Sequence, residues 1–156
     1  MHHFVIYLLT MFRYGFISGF DEEKGLVRVK FADDGIVSDW LPFIVPFASV
    51  DKMSLPLAIN EQVACLMDEH SEDGVCLGAV MNDEDKPYNG ASKNKLGIKF
   101  SDGCLVEYDK STHKLTVNTT GEVDITAPQI KLTGVVTITG AMTVTGVLAA
   151  AGGLSS

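Results

Sequence analysis

Six consecutive residues, Asp68 to Asp73, form the densest group of potentially catalytic side chains in the sequence. They read Asp-Glu-His-Ser-Glu-Asp, so carboxylates, an imidazole and a hydroxyl lie together. General acid and base catalysis uses these groups, but it needs them to converge from a fixed framework. The run is polar throughout and ends at Gly74, which is typical of a solvated turn between two strands. We therefore expect a turn here and not an active site.

The other residues that commonly carry chemistry are dispersed. Patterns for a nucleophilic serine elbow, a zinc protease, a CxxC pair or a phosphate-binding loop do not occur in the sequence. His70 and His113 fall in separate predicted turns, and two neighbouring terminal histidines, His2 and His3, seldom hold a metal ion. The sequence therefore predicts a protein that is not an enzyme, with no catalytic residue, metal ligand, cofactor or small-molecule substrate.

Composition narrows the classes further. The 156 residues are 46% hydrophobic, which is enough for a real core, and they carry a formal net charge of -8. An acidic chain repels a phosphate backbone, so we expect no nucleic-acid partner. Cys65, Cys76 and Cys104 have no metal-like spacing, and their odd number argues against a closed disulfide framework. We expect buried thiols in a chain that folds in a reducing cytoplasm.

The strongest pattern is a repeat from Leu132 to Leu154. Glycine recurs every six residues, at Gly134, Gly140, Gly146 and Gly152. Alternate positions are apolar or glycine, and the intervening positions carry threonines, so the period of two predicts a strand with one dry face. The apolar side chains of that face are Leu132, Val136, Ile138, Met142, Val144, Leu148 and Leu154.

The dry face needs a partner that the rest of the chain does not offer. A β-helix made by one chain uses about three hexads in each coil, so this run would make little more than one coil, and solenoids need several repeats. Three identical chains around a shared axis would bury the face and leave no strand edge open. Glycine would then mark where each chain bends or crowds the axis. We predict a homotrimer whose axis is lined by the apolar side chains.

The first half of the chain has the strand pattern of a small barrel. Pro42 places one end of its third strand at an edge, and a long connection follows that strand, which is typical of an OB-like barrel. We predict an OB-fold domain over residues 13–82. Its five strands are expected at Tyr14 to Phe20, Leu26 to Phe31, Ile36 to Val45, Gln62 to Met67 and Val75 to Met81.

The polar stretch at residues 83–95 predicts a linker, and a meander of short strands follows it. The first of these strands turns Leu96, Ile98 and Phe100 inward. Such a meander suits the cap of a prism, so we predict one trimeric shaft over residues 96–156. The later strands are expected at Leu105 to Tyr108, Lys114 to Asn118 and Glu122 to Thr126. The predicted class is all-β, with an OB-fold barrel followed by a trimeric intertwined β-helix or β-prism.

Two apolar segments lie outside this scheme. Residues 1–12 contain a run shorter than the ~20 residues that span a bilayer, and no Lys or Arg precedes it, so neither a membrane span nor a secretory signal is expected. The segment is either a docking element or a leader upstream of a start at Met11. The loop from Pro42 to Pro56 is also apolar, and exposed patches of this kind mark contact surfaces. The docking side chains are predicted to be Phe4, Ile6, Leu8, Phe43 and Phe47.

Several stretches resemble a known family, phage baseplate assembly protein V, which forms the central spike of contractile tails. GLVRVKF (residues 25–31), DGIVSDWLPFIVPFA (34–48), NEQVACL (60–66) and GVCLGAV (74–80) resemble its OB-fold domain. KFSDGCLVEYDKSTHKLTV (99–117) resembles the segment joining that domain to the spike, and the hexads resemble the shaft. The resemblance extends from Arg13 onward, and it is specific because three regions occur in the expected order. Related spikes occur in R-type pyocins and in type VI secretion valine-glycine repeat proteins.

The resemblance implies a homotrimer at the distal end of the tail tube, seated on a trimeric baseplate hub. It implies that the spike crosses the bacterial outer membrane when the sheath contracts. The protein would then lie in the virion or at the tip of an injection particle, after assembly in the host cytoplasm. Many members hold a buried apical iron with a His-x-His pair, but only Leu154-Ser155-Ser156 follow Gly153 here, so no iron is implied. We expect either a separate tip protein or a chain that continues past Ser156.

Two functions from other classes are alternatives to the spike. Trimeric β-prisms also build receptor-binding or carbohydrate-binding tail fibres, but a depolymerising enzyme should show paired carboxylates and exposed aromatic residues along the shaft. The hexads have neither. An OB-fold nucleic-acid binder needs a basic face interleaved with aromatic residues. The barrel has aromatic residues, but its turns are acidic, so the sequence favours a structural spike.

Overall fold

The computed structural model describes residues 11–55 and 57–149. In this part of the chain the named secondary-structure elements are strands, in two antiparallel sheets. The prediction of an all-β protein is confirmed. The strands are β1 (Phe12–Asp21), β2 (Leu26–Phe31), β3 (Leu41–Pro42), β4 (Gln62–Met67), β5 (Gly74–Ala79), β6 (Lys95–Lys99), β7 (Leu105–Asp109) and β8 (Lys114–Asn118).

The first sheet is a nearly closed barrel. Its strand order is β3-β2-β1-β4-β5, with antiparallel pairing throughout. The two edges approach each other at Phe43 and Cys76, which form a parallel bridge, and the Ile44 N–H donates to the Cys76 carbonyl over 3.1 Å. Five strands closed in this order fit the OB-like barrel that the sequence predicts, so the barrel part of the prediction is confirmed.

The barrel core is made by the alternate residues of its strands. In β1 the inward positions are Arg13, Gly15 and Ile17, because successive side chains of a strand point to opposite faces. Gly15 is needed for close approach, since a Cβ there would lie 2.5 Å from Val29 Cγ1. The side chains that are at most 1% exposed are Ile17, Val27, Val29, Phe31, Leu41, Val63, Cys65, Met67 and Cys76.

The third strand is much shorter than predicted. The sequence predicts Ile36 to Val45, whereas β3 contains only Leu41–Pro42, with an isolated bridge between Lys30 and Val37 before it. The reason is local. The Val29 N–H of β2 donates to the Ser38 side-chain oxygen at 3.0 Å, so it does not pair with a backbone carbonyl of the third strand. β3 is an edge strand of the sheet, in agreement with the position of Pro42.

The second sheet is a three-stranded meander in the order β6-β7-β8. The predicted strand from Glu122 to Thr126 is absent, and no strand is formed anywhere within residues 119–149. A strand is defined by its hydrogen bonds to a neighbour, and the backbone of this region has no such neighbour among residues 11–55 and 57–149.

Candidate assembly surfaces

The acidic run forms the turn between β4 and β5. The Asp68 carboxylate accepts hydrogen bonds from the N–H groups of Glu72, at 3.0 Å, and Asp73, so it holds the turn closed. His70 is exposed in this turn. Within the described residues, no three His, Cys, Asp or Glu side chains form a group that could hold a metal ion. Nothing helical in the same ranges has the length and apolarity needed to cross a membrane.

A buried arginine joins the acidic turn, and also the turn after β2, to the first strand of the barrel. Arg13 is 8% exposed, and its guanidinium carbon lies 4.0 Å from the centre of the Phe31 ring. It forms ion pairs with Asp33 and, at 2.6 Å, with Asp34, and it donates to the Ser71 hydroxyl at 2.7 Å. Its hydrogen bond lowers the pKa of Asp33. Arg13 thus ties β1 to two turns.

The sequence analysis did not predict the cluster around Arg13, although the sequence contains part of the pattern that indicates it. The alternation of β1 places Arg13 on the inward face with Ile17, where an unpaired charge would be costly. That position predicts a carboxylate partner. The choice of Asp33 and Asp34 depends on how the turn after β2 folds over the start of β1, and this is a tertiary relation.

A second polar cluster lies behind the three-stranded sheet. The Glu107 carboxylate is 8% exposed, and it accepts a hydrogen bond from the Tyr88 hydroxyl at 2.8 Å and pairs with the Lys95 ammonium at 3.1 Å. The hydrogen bonds from Tyr88 and Lys95 lower the pKa of Glu107. Gly97 leaves room for the tyrosine, since a Cβ there would lie 2.6 Å from the Tyr88 hydroxyl. The predicted linker is therefore fastened to the polar face of the sheet.

The opposite face of this sheet is entirely apolar along its two central rows. Strand register aligns Leu96 with Tyr108 and Leu115 in one row, and Ile98 with Val106 and Val117 in the next. Full burial of such side chains contributes about 1.5–3 kcal/mol each, so covering six partly exposed ones is worth roughly 6–12 kcal/mol per chain. These side chains are 41% to 80% exposed, namely Leu96, Ile98, Val106, Tyr108, Leu115 and Val117.

The repeat follows this sheet along the chain. Residues 119–149 form no strand and are almost all exposed, including their apolar positions. The chain bends at Pro128, Gly134, Gly140 and Gly146, which are spaced by six residues. Gly134 and Gly140 have φ values of 133° and 131°, a conformation that side chains with a Cβ rarely adopt. The role of these glycines in bending or crowding the proposed axis stays a prediction.

Pro128 was missed as a member of the repeat. It lies six residues before Gly134 and takes the position that a glycine would have. The parity of the exposed apolar residues also changes there, because Val123 and Ile125 have odd numbers whereas Ile130 and Leu132 have even ones. Counting the hexad backwards from Gly134 would have found this position.

The predicted axis residues are exposed in the chain by itself. Val135 and Val147, on the other face of the repeat, are 97% and 95% exposed. Leu154 and Gly152 lie outside the described residues, and the axis role stays a prediction. The described axis side chains range from 41% to 71% exposed, namely Leu132, Val136, Ile138, Met142, Val144 and Leu148.

The predicted docking residues have different surroundings. Phe43 packs against the barrel core, with its ring centre 6.2 Å from that of Phe20, while Phe47 is 55% exposed. The predicted docking residues Phe4, Ile6 and Leu8 lie outside the described residues. Sequence reasoning missed an exposed stripe on the outer face of β1 and β4, formed by Phe12, Tyr14, Phe16 and Leu66. Period-two alternation in β1 could have revealed it.

Comparison with known proteins identifies a similar phage protein. Over 120 residues, or 77% of this chain, the sequence is 30% identical to the spike protein of Escherichia phage P2. The match covers 56% of that protein, so the chain spans little more than half the length of this relative. No family model matches the chain.

Proposed function

We propose that this chain is a structural spike protein of a contractile phage tail, and that it belongs to the baseplate spike family. Three copies assemble through the apolar sheet face and the repeat, with the barrel seated on the trimeric hub of the baseplate. The spike crosses the bacterial outer membrane when the sheath contracts. A separate tip protein caps the point if the chain does not continue past Ser156.

The observation that carries this proposal is the exposed apolar surface of the described C-terminal residues, in a chain 30% identical to a phage spike protein. The two apolar rows of β6 to β8 and the repeat follow one another along the chain, so one partner can cover both. A threefold arrangement brings three such surfaces to one axis and leaves no strand edge open.

The proposed mechanism is mechanical. Load is carried by strand pairing between chains and by packing along the axis, so separating the chains requires the shaft to lose its structure. The threonines of the repeat face water on the outside. Their hydroxyls keep the surface wettable while the β-branched side chains favour extended backbone.

The first test measures assembly. Light scattering on the purified full chain should give about three times the 16.8 kDa chain mass. A folded monomer at micromolar concentration would exclude the spike.

A tail-fibre protein would also be a trimer, so the second test separates the two functions. Particles that lack the chain should fail to admit a small dye through the outer membrane. A fibre would instead bind whole cells as an isolated trimer, which the proposed spike should not do.

A further inference from the structure

Two cysteines face each other in the barrel core. Cys65 of β4 lies directly opposite Cys76 of β5 in the antiparallel register, and both side chains are completely buried. Cys104 is half-buried next to β7, in the second sheet, and is not part of this pair. The pair is unusual among core contacts because its side chains can form a covalent bond.

The backbone hydrogen bonds show what kind of cross-strand pair this is. The Cys76 carbonyl accepts a hydrogen bond from the Ile44 N–H, so it points away from β4. Further along the same ladder the Asp68 N–H donates to the Asp73 carbonyl, so Asp68 and Asp73 are a hydrogen-bonded pair. Hydrogen-bonded and non-hydrogen-bonded pairs alternate along an antiparallel ladder, and the cysteines are three pairs away, which makes them a non-hydrogen-bonded pair. In such pairs the Cα atoms are about 4.5 Å apart, which is within the range of about 4.4–6.8 Å that a disulfide accepts.

We propose that Cys65 and Cys76 are a modification site, which closes to an interstrand disulfide when the protein meets a low-molecular-weight disulfide outside a reducing compartment. One cysteine thiolate attacks the oxidant and forms a mixed disulfide, releasing the first reduced thiol. The second cysteine thiolate then displaces the second reduced thiol. The two protein thiols lose two hydrogens in total, and the oxidant gains them as two thiols.

The fold provides a route for the oxidant to reach the pair. β5 is the last strand of the sheet order, and among the described residues it meets the other edge of the barrel through an isolated bridge between Cys76 and Phe43. Local opening at this seam exposes Cys76 without unfolding the barrel. The hydrogen bond between the two thiols raises the pKa of Cys65 and lowers the pKa of Cys76, so Cys76 is the thiol that ionises first and attacks the oxidant.

The experiment uses the full chain with Cys104→Ser, which removes the half-buried thiol. A separate sample first gives the time that the amides of β5 need to exchange with deuterium under native conditions, which is the time for the seam to open. The protein is then incubated in ordinary water with glutathione disulfide for longer than that time. We expect the mass to fall by two hydrogens without a glutathione adduct, and peptide mapping to link Cys65 with Cys76. A reductant should restore both thiols. The oxidised form should also show a higher unfolding temperature than the reduced form.

The control carries Cys76→Ser in addition to Cys104→Ser, and it should show no internal link. Three results would overturn the proposal: two thiols that stay reduced after β5 has exchanged, a stable glutathione adduct on either cysteine, or a link between different chains. The readout does not depend on oligomeric state or on membrane passage. The proposal can therefore fail while the spike function stands, and the reverse is equally possible.

Discussion

Val144→Asp should prevent trimer formation while leaving the barrel folded. Val144 is 41% exposed in the chain by itself, so a carboxylate there stays close to water before assembly. On the proposed axis the same substitution places three carboxylates at one level, away from water. The effect of the substitution should therefore appear on assembly and not on barrel folding.

The expected magnitude follows from the cost of burying charge. About 3 kcal/mol for each of three carboxylates gives about 9 kcal/mol per trimer, or roughly 6.5 powers of ten in the dissociation constant. The dissociation constant of a trimer has units of concentration squared, so the concentration for half-assembly should rise by the square root of that factor, roughly 2,000-fold. Thr143→Asp introduces the same charge on the neighbouring outward position and should change stability by about 0.5 kcal/mol or less per chain.

The assay is light scattering over a dilution series, with near-ultraviolet circular dichroism to follow the barrel. Val144→Asn should give an intermediate loss, because an amide is polar but uncharged. Burial raises the pKa of the three aspartates in the trimer above the ordinary value of about 3.9. Assembly should therefore recover below about pH 3.9 and be lost as the pH rises. Equal damage by Val144→Asp and Thr143→Asp would refute the face assignment.

Three further predictions address other parts of the chain. Arg13→Met should lower the unfolding temperature at neutral pH. Because Arg13 lowers the pKa of Asp33, the stabilisation from this ion pair exists above the ordinary aspartate pKa and disappears as the pH falls. Thermal melts should therefore give the variant and the parent protein the same unfolding temperature in acid. Gly140→Ala should lower the free energy of unfolding by roughly 1–3 kcal/mol, because Gly140 has a positive φ. Gly146 has no positive φ and should tolerate alanine. Equal losses of stability for the two variants in denaturant titrations would contradict this. Deleting residues 1–10, which leaves β1 intact, should give a trimer that is recovered less often in baseplates, and normal recovery would exclude a docking role.

The strands of the barrel could be predicted because their signal is local. In β2 the inward apolar side chains alternate with Arg28 and Lys30, which fixes the face of that strand, and β4 is a short apolar run from Val63 to Met67. Polar or glycine-containing turns bound both strands. The third strand could not be predicted in the same way. Its length depends on Ser38, whose side chain replaces a backbone acceptor for Val29, and nothing in the apolar pattern reveals that exchange.

The assembly surfaces could be predicted only where their pattern is local in the sequence. The hexad glycines and the apolar series at Val136 and Val144 are read directly from the spacing, and so is the need for a partner. The polar clusters around Arg13 and Glu107 were not predicted. Each joins side chains far apart in sequence, and single charged residues inside an alternating strand do not specify which turn or linker will cover them.

The same period-two pattern therefore has two different consequences in this chain. In the barrel the inward side chains, such as Ile17 and Phe31, are buried by neighbouring strands of the same sheet, because β3 and β5 curve round to meet near Cys76. In the second sheet the polar side is the one that is fastened within the chain, through Glu107, and the apolar side is left open. Within the described residues, this sheet uses its contacts to hold its polar face, so the energy of its apolar face is left for the proposed partner copies. In the proposed trimer the C-terminal half therefore couples its stability to assembly, whereas the barrel does not.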